Sequence, residues 1–94
     1  MFIITKDLIN NGEYNNHVFV STMNKGDKKQ ALIERLTPKC IHKFRLLDDD
    51  GVIYLYGLSN SNDDERAFIP LDYYMYDLGC TEIQYFNNGV WETL

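Results

Sequence analysis

Two stretches of this chain are each wrapped around a strong turn signal, and they settle much of what it can fold into. Residues 41–47 and 52–58 flank Asp48-Asp49-Asp50-Gly51, and residues 80–86 and 90–94 flank Asn87-Asn88-Gly89. Glycine beside Asp or Asn supplies the positive φ that a tight reversal needs, so both stretches read as β-hairpins. Side-chain segregation sets the expected registers. An even-length first loop pairs Phe44 with Leu55 and Leu46 with Ile53 on one face, and Lys43 with Tyr56 and Arg45 with Tyr54 on the other. In the second hairpin a three-residue loop with Gly89 in the left-handed region groups Ile83, Tyr85, Trp91 and Thr93, and turns Gln84 and Glu92 away.

The rest of the chain adds shorter elements. Residues 2–5 are apolar and β-prone, and a strand there ends before Asn10-Asn11-Gly12. Residues 17–23 alternate weakly, with Val18 and Val20 on one face and Phe19 on the other. Asp27 and Gln30 have capping-box spacing, and Ala31, Leu32, Ile33 and Leu36 form a stripe at helical period before Pro38, which predicts the main helix over residues 27–36. Between the hairpins, Pro70 ends any strand and Gly79 suits a helix C-cap, so residues 68–79 allow one short helical turn. The expected fold is one compact α+β domain over residues 1–94, a small antiparallel sheet of five to six strands packed with one α-helix. Ninety-four residues leave room for one modest core.

Charge is divided unevenly along the chain. Residues 1–47 carry a net +4 and residues 48–94 a net −9, where Arg66 is the single base; together they give −5. No apolar run approaches the roughly 18 residues of a membrane-spanning helix. The start lacks a basic stretch ahead of its apolar patch, so neither a signal peptide nor a membrane association is expected, and the expected location is cytoplasmic. The two cysteines, Cys40 and Cys80, are then expected as reduced thiols.

Several chemistries fail on spacing. Cys40 and His42, joined by Cys80 and His17, have a zinc-like composition but no close Cys–Cys or His–His pair. Placing Gly51 at the sixth position of a calcium loop puts Leu46 first and Gly57 twelfth, where carboxylates are required. No phosphate-cradling glycine loop, nucleophilic serine elbow or helical His-Glu motif occurs. The expectation is a protein without catalysis, cofactor or metal.

Two surfaces remain. The acidic, tyrosine-rich second half offers Asp48, Asp49 and Asp50 at a hairpin tip, Asp63, Asp64 and Glu65 in a polar loop, and Asp72, Tyr73, Tyr74, Tyr76 and Asp77 between the hairpins. Tyrosine is enriched at protein interfaces because its ring is apolar and its hydroxyl tolerates water, so this set is expected to meet a basic protein partner. The alternative is a single-stranded nucleic-acid surface of Lys43, Arg45, Tyr54 and Tyr56 with the helix bases Lys28, Lys29 and Arg35. The net −9 of the second half disfavours a polyanion. A third reading is structural, with the two halves pairing within the chain or across a homodimer.

The stretches from Lys43 to Gly51, Pro70-Leu71-Asp72, and Gly79-Cys80-Thr81-Glu82-Ile83-Gln84-Tyr85 together resemble a family of small uncharacterised proteins of bacteria and their phages and mobile elements. The resemblance covers roughly the C-terminal half, departs at residues 73–76, and brings neither an activity nor site residues. It implies only a genomic setting; by analogy of that setting and of charge, an acidic protein of this kind is expected to inhibit a host nucleic-acid-handling system by occupying its binding surface.

Overall fold

The computed structural model describes residues 1–19 and 37–94. The first hairpin forms β3 (His42–Leu47) and β4 (Ile53–Ser59), and the second β5 (Glu82–Asn87) and β6 (Val90–Thr93). Strands β1 (Phe2–Asp7) and β2 (Val18–Phe19) precede them, and a helix, α1 (Ile69–Leu78), lies between the hairpins. The strands form one sheet in the order β2-β1-β4-β3-β5-β6, and every pairing is antiparallel. The α+β class and the antiparallel sheet with a packed helix are as the sequence indicates. The helix expected over residues 27–36, with Lys28, Lys29 and Arg35, lies outside the described residues.

Both hairpin registers differ from expectation. In the first, Phe44 faces Gly57, Arg45 faces Tyr56 and Leu46 faces Leu55, before a shift pairs Leu47 with Ile53. The loop is longer than foreseen because Asp48 closes it: Oδ1 accepts from the Asp50 and Val52 N–H groups at 2.9 and 3.0 Å, and Gly51 reverses the chain at φ +78°. A two-residue slip keeps residues 43–46 and 55–58 on their expected faces, but the extra residue, Tyr54, becomes a bulge that leaves the outer face, and Ile53 pairs with Leu47 rather than Leu46. In the second hairpin Phe86 faces Trp91 and Asn87 faces Val90, so the loop is Asn88-Gly89 alone. Both loop residues take positive φ, 52° and 83°, as a two-residue primed turn demands, and Asn tolerates that region. Trp91 and Thr93 therefore share a face with Gln84 and Phe86, while Ile83 and Tyr85 point to the core.

The segment after β4 is a full helix of ten residues, longer than the single turn expected. Asp64 caps a 3₁₀ turn (Glu65–Phe68) by accepting from the Arg66 N–H at 2.9 Å. Pro70 sits in the first turn of α1, where its missing N–H has no intrahelical partner to lose, so it starts the helix. Gly79 ends it at φ +77°, donating its N–H to Met75 O at 3.0 Å.

One sheet face and α1 enclose the core. Phe2, Ile4, Phe44, Leu46, Leu55, Ile83 and Tyr85 come from strands, and Ala67, Leu71, Tyr74 and Cys80 cover them. Each large side chain taken from water contributes about 1.5–3 kcal/mol. Phe2 sits edge-on to both Phe44 and Tyr74 with ring centroids 6.0 Å apart, and the Tyr85 hydroxyl donates to Ala67 O at 2.7 Å, tying β5 to the approach to α1. A smaller cluster, Ile3 and Cys40 with Met1, Val18 and Leu58, is separate from this core.

The Phe44 ring fills the space over Gly57. A β-carbon at residue 57 would run into that ring and lie 2.6 Å from the Ile3 carbonyl oxygen. Gly57→Ala is expected to destabilise the fold by about 1–3 kcal/mol, because two neighbouring strands leave no room to relax. For a domain this size that lowers Tm by roughly 5–20 °C. Thermal unfolding followed by circular dichroism reads the effect; an unchanged Tm contradicts the packing described.

Candidate functional site

The eleven acidic and tyrosine positions do not form one patch. Asp48, Asp49 and Asp50 close one end of the β3–β4 pair, and Asp63, Asp64 and Glu65 follow the other end, about 20 Å away along a seven-residue strand. Two of the acids build their own loops. The Val52 N–H, with the Tyr54 hydroxyl and the Asp50 N–H, holds the Asp48 carboxyl below its ordinary range. The Ser61 hydroxyl and the Arg66 N–H do the same for Asp64. Asp49, Asp50, Asp63 and Glu65 are exposed.

Tyr74 is not on the surface. It is fully buried, one helical turn beyond Leu71, and its hydroxyl lies 2.6 Å from His17 Nδ1. Burial pushes its hydroxyl pKa far up. The expectation failed because ten helical residues impose a period that turns 71 and 74 inward together. Asp72, Tyr73, Met75, Tyr76 and Asp77 stay exposed on the remaining surface of α1, and Tyr76 keeps 90 % of its surface in water.

The sheet's other face gathers the basic and aromatic residues. Lys6, Tyr56, Arg45, Gln84 and Thr93 stand opposite one another in a single row across five strands. The Arg45 guanidinium lies 4.4 Å from the centre of the Trp91 ring, and its Nε–H donates to Gln84 Oε1 at 2.7 Å. Gln84 Nε2 and the Thr93 hydroxyl both donate to Glu82 Oε2 at 2.6 Å, so the arginine is held by a connected polar network. The Trp91 ring reaches back to within 6.0 Å of Tyr56 and stands 5.1 Å from Phe86, with Lys43 Nζ 5.9 Å from the Phe86 ring.

Of the expected nucleic-acid set, the structure brings Lys43, Arg45 and Tyr56 together. Tyr54 is excluded: the bulge re-aims it toward the core cluster, and its hydroxyl donates to Asp48 Oδ2 at 3.0 Å. Three members of the face were missed in the sequence. Trp91 and Phe86 follow from the two-residue turn, for which Asn-Gly is itself the signal. Lys6 follows from a second bulge: β1 pairs Ile4 with Gly57 and then Lys6 with Tyr56, so Thr5 is the extra residue. A slip of one position turns Lys6 outward and Asp7 inward, and simple alternation gives no hint of it.

The cysteines do not converge. Cys40 belongs to the small cluster and Cys80 to the main core; both are buried and free, and burial pushes the Cys80 thiol up to about 11. Among the described residues no group of three or more His, Cys, Asp or Glu side chains is placed to hold a metal ion. No helix among them is long and apolar enough to cross a membrane. No protein-family model, curated protein or solved structure matches the chain.

Asp7 locks the Thr5 bulge in place. Its Oδ1 accepts from the Ile9 and Asn10 N–H groups at 2.9 and 3.0 Å, and its Oδ2 from the Tyr14 N–H at 3.1 Å. Burial pushes this carboxyl up, and the N–H groups of Asn10, Ile9 and Tyr14 together outweigh it and hold the pKa below the ordinary value. A depressed carboxyl contributes stability that is present above the unfolded pKa, near 4, and is lost as pH falls through the lower folded value. Asp7→Asn is therefore expected to lower Tm at pH 7 and to flatten its fall below about pH 4. Parallel curves for the two proteins in acid would show that the Asp7 carboxylate does not hold this loop.

Proposed function

We propose that this chain is a non-catalytic interaction protein whose α1 face docks a basic protein partner. The observation that carries the reading is the 90 % exposure of Tyr76 on the water side of α1, where Asp72 and Asp77 are also exposed and Tyr73 and Met75 are partly exposed to either side of it. An apolar ring left in water forgoes about 25 cal/mol per Å² of stabilisation, and it stands here beside two further partly exposed apolar side chains. The helix also breaks an electrostatic rule. It contains no basic residue, and Asp77 lies in the last turn, where the macrodipole is already negative. A cation delivered by a partner relieves both features at once.

Asp49, Asp50, Asp63 and Glu65, at the two ends of the sheet, extend the negative field beyond the contact and favour encounter with a basic groove. A surface of that kind competes with nucleic acid for a protein's phosphate-binding side chains. That competition would make inhibition of a nucleic-acid-handling protein the biological role.

Affinity capture from a bacterial lysate tests the reading with wild type, Tyr76→Ala and Asp72→Asn/Asp77→Asn. These side chains are exposed, so folding is expected to change by less than about 0.5 kcal/mol. A basic partner should be retained at about 0.1 M salt and released near 0.5 M, where the screening length falls to a few Å. Tyr76→Ala should weaken capture about tenfold or more, the scale of an interface anchor. Capture that persists at high salt and ignores all three substitutions would sink the proposal.

A further inference from the structure

On the sheet face away from α1, a cleft of ≈ 420 Å³ opens between Lys6, Lys43, Tyr56, Leu58 and Trp91, with the Gly57 backbone in its wall. The geometry points to this cleft and the rings beside it as a binding site for single-stranded nucleic acid, independent of the helix surface. Three features carry the assignment.

The first is composition. A nucleobase needs an apolar or aromatic surface against its face and its phosphate needs a cation nearby, and base–aromatic stacking tolerates any sequence. The cleft supplies Tyr56 and Trp91 rings, the Leu58 side chain, and two exposed ammonium groups within one small volume. The second is preorganisation. Arg45 is already fixed under Trp91 by the Gln84–Glu82–Thr93 network, so less side-chain entropy is lost when a strand docks. The acid of that network, Glu82, is engaged by both neighbours, and their donated hydrogen bonds hold its carboxyl below the ordinary range. The third is repetition. Ring and cation alternate across the face as Lys6 beside Tyr56, Arg45 on Trp91, and Lys43 near Phe86. Such a series suits successive nucleotides of a strand better than one isolated nucleotide. A duplex hides its base faces and is excluded by the same geometry.

The chain's single tryptophan stands in the site, so its emission reports occupancy directly. The full chain is titrated with a short oligothymidylate, with a duplex of the same length, with thymidine monophosphate and with polyglutamate, at about 20 and about 200 mM salt. The expected result is saturable quenching by the single strand, tighter at low salt, with little response to the other three. Lys6→Ala and Lys43→Ala, both at exposed positions, should each make the dependence of log K on log salt shallower by about 0.7, one phosphate contact on a single strand. Tyr56→Leu should weaken binding roughly 5- to 150-fold, the range for one stacked base. No quenching at low salt, or quenching indifferent to these substitutions, overturns the assignment. Equal binding of the duplex overturns it too. Equal binding of the mononucleotide would make this a small-ligand cleft, and equal binding of polyglutamate an acidic-peptide surface; either result refutes the strand reading.

Discussion

The ring of Phe44 lies where a β-carbon on residue 57 would have to be, and the arrangement of this sheet depends on that substitution of ring for side chain. With Gly57 opposite Phe44, Arg45 must face Tyr56 and Leu46 must face Leu55. The alternative register, Phe44 against Leu55, would take the ring away from Gly57 and leave the gap over that residue unfilled. On β4's other side Gly57 pairs with Ile4, so the same residue fixes β1. One glycine thus sets the alignment of three strands. The row that crosses the outer face from Lys6 to Thr93 follows from that alignment.

Two bulges then redistribute what the register delivers. The extra Thr5 in β1 turns Lys6 outward and sends Asp7 inward to collect three backbone N–H groups. The extra Tyr54 in β4 removes a tyrosine from the outer face and ties it to Asp48 at the hairpin tip. Both slips increase the contrast between the layers. Helix α1 itself carries Asp72 and Asp77 and no base, while the outer sheet face collects Lys6, Lys43 and Arg45.

What was legible in the sequence was whatever depends on local chemistry. Asp-Gly and Asn-Gly marked both reversals, Gly79 marked the helix end, and the apolar partners Phe44, Leu46, Leu55, Ile83 and Tyr85 all reached the core. What was not legible depends on one residue more or less. A side chain's face alternates with every position, so a single bulge or one loop residue reverses an assignment while composition and periodicity barely change. A three-residue loop groups Trp91 with Ile83 on that account, and plain alternation gives no signal for Lys6. Tyr74 was misjudged for a related reason: a Pro taken as a strand terminator was the first turn of a helix, and helical period buried the central tyrosine of the run. These are also the residues on which the candidate surfaces turn, so the sites were less readable than the fold.

The two faces stay electrostatically distinct because of their separation. A helix packed on a sheet sets its outer charges on the order of 10 Å or more from those beyond the sheet, comparable to the screening length of about 8 Å at physiological salt. A contact on one face is then governed by that face's own charges, and the net −5 acts mainly at longer range. For a phosphate chain approaching Lys6 and Lys43 the two effects oppose each other. Lowering salt strengthens the direct ion contacts and also lengthens the reach of the repulsion from the acidic layer. If a strand does bind in the cleft, the repulsion of the acidic layer leaves stacking on Tyr56 and Trp91 to supply most of its affinity.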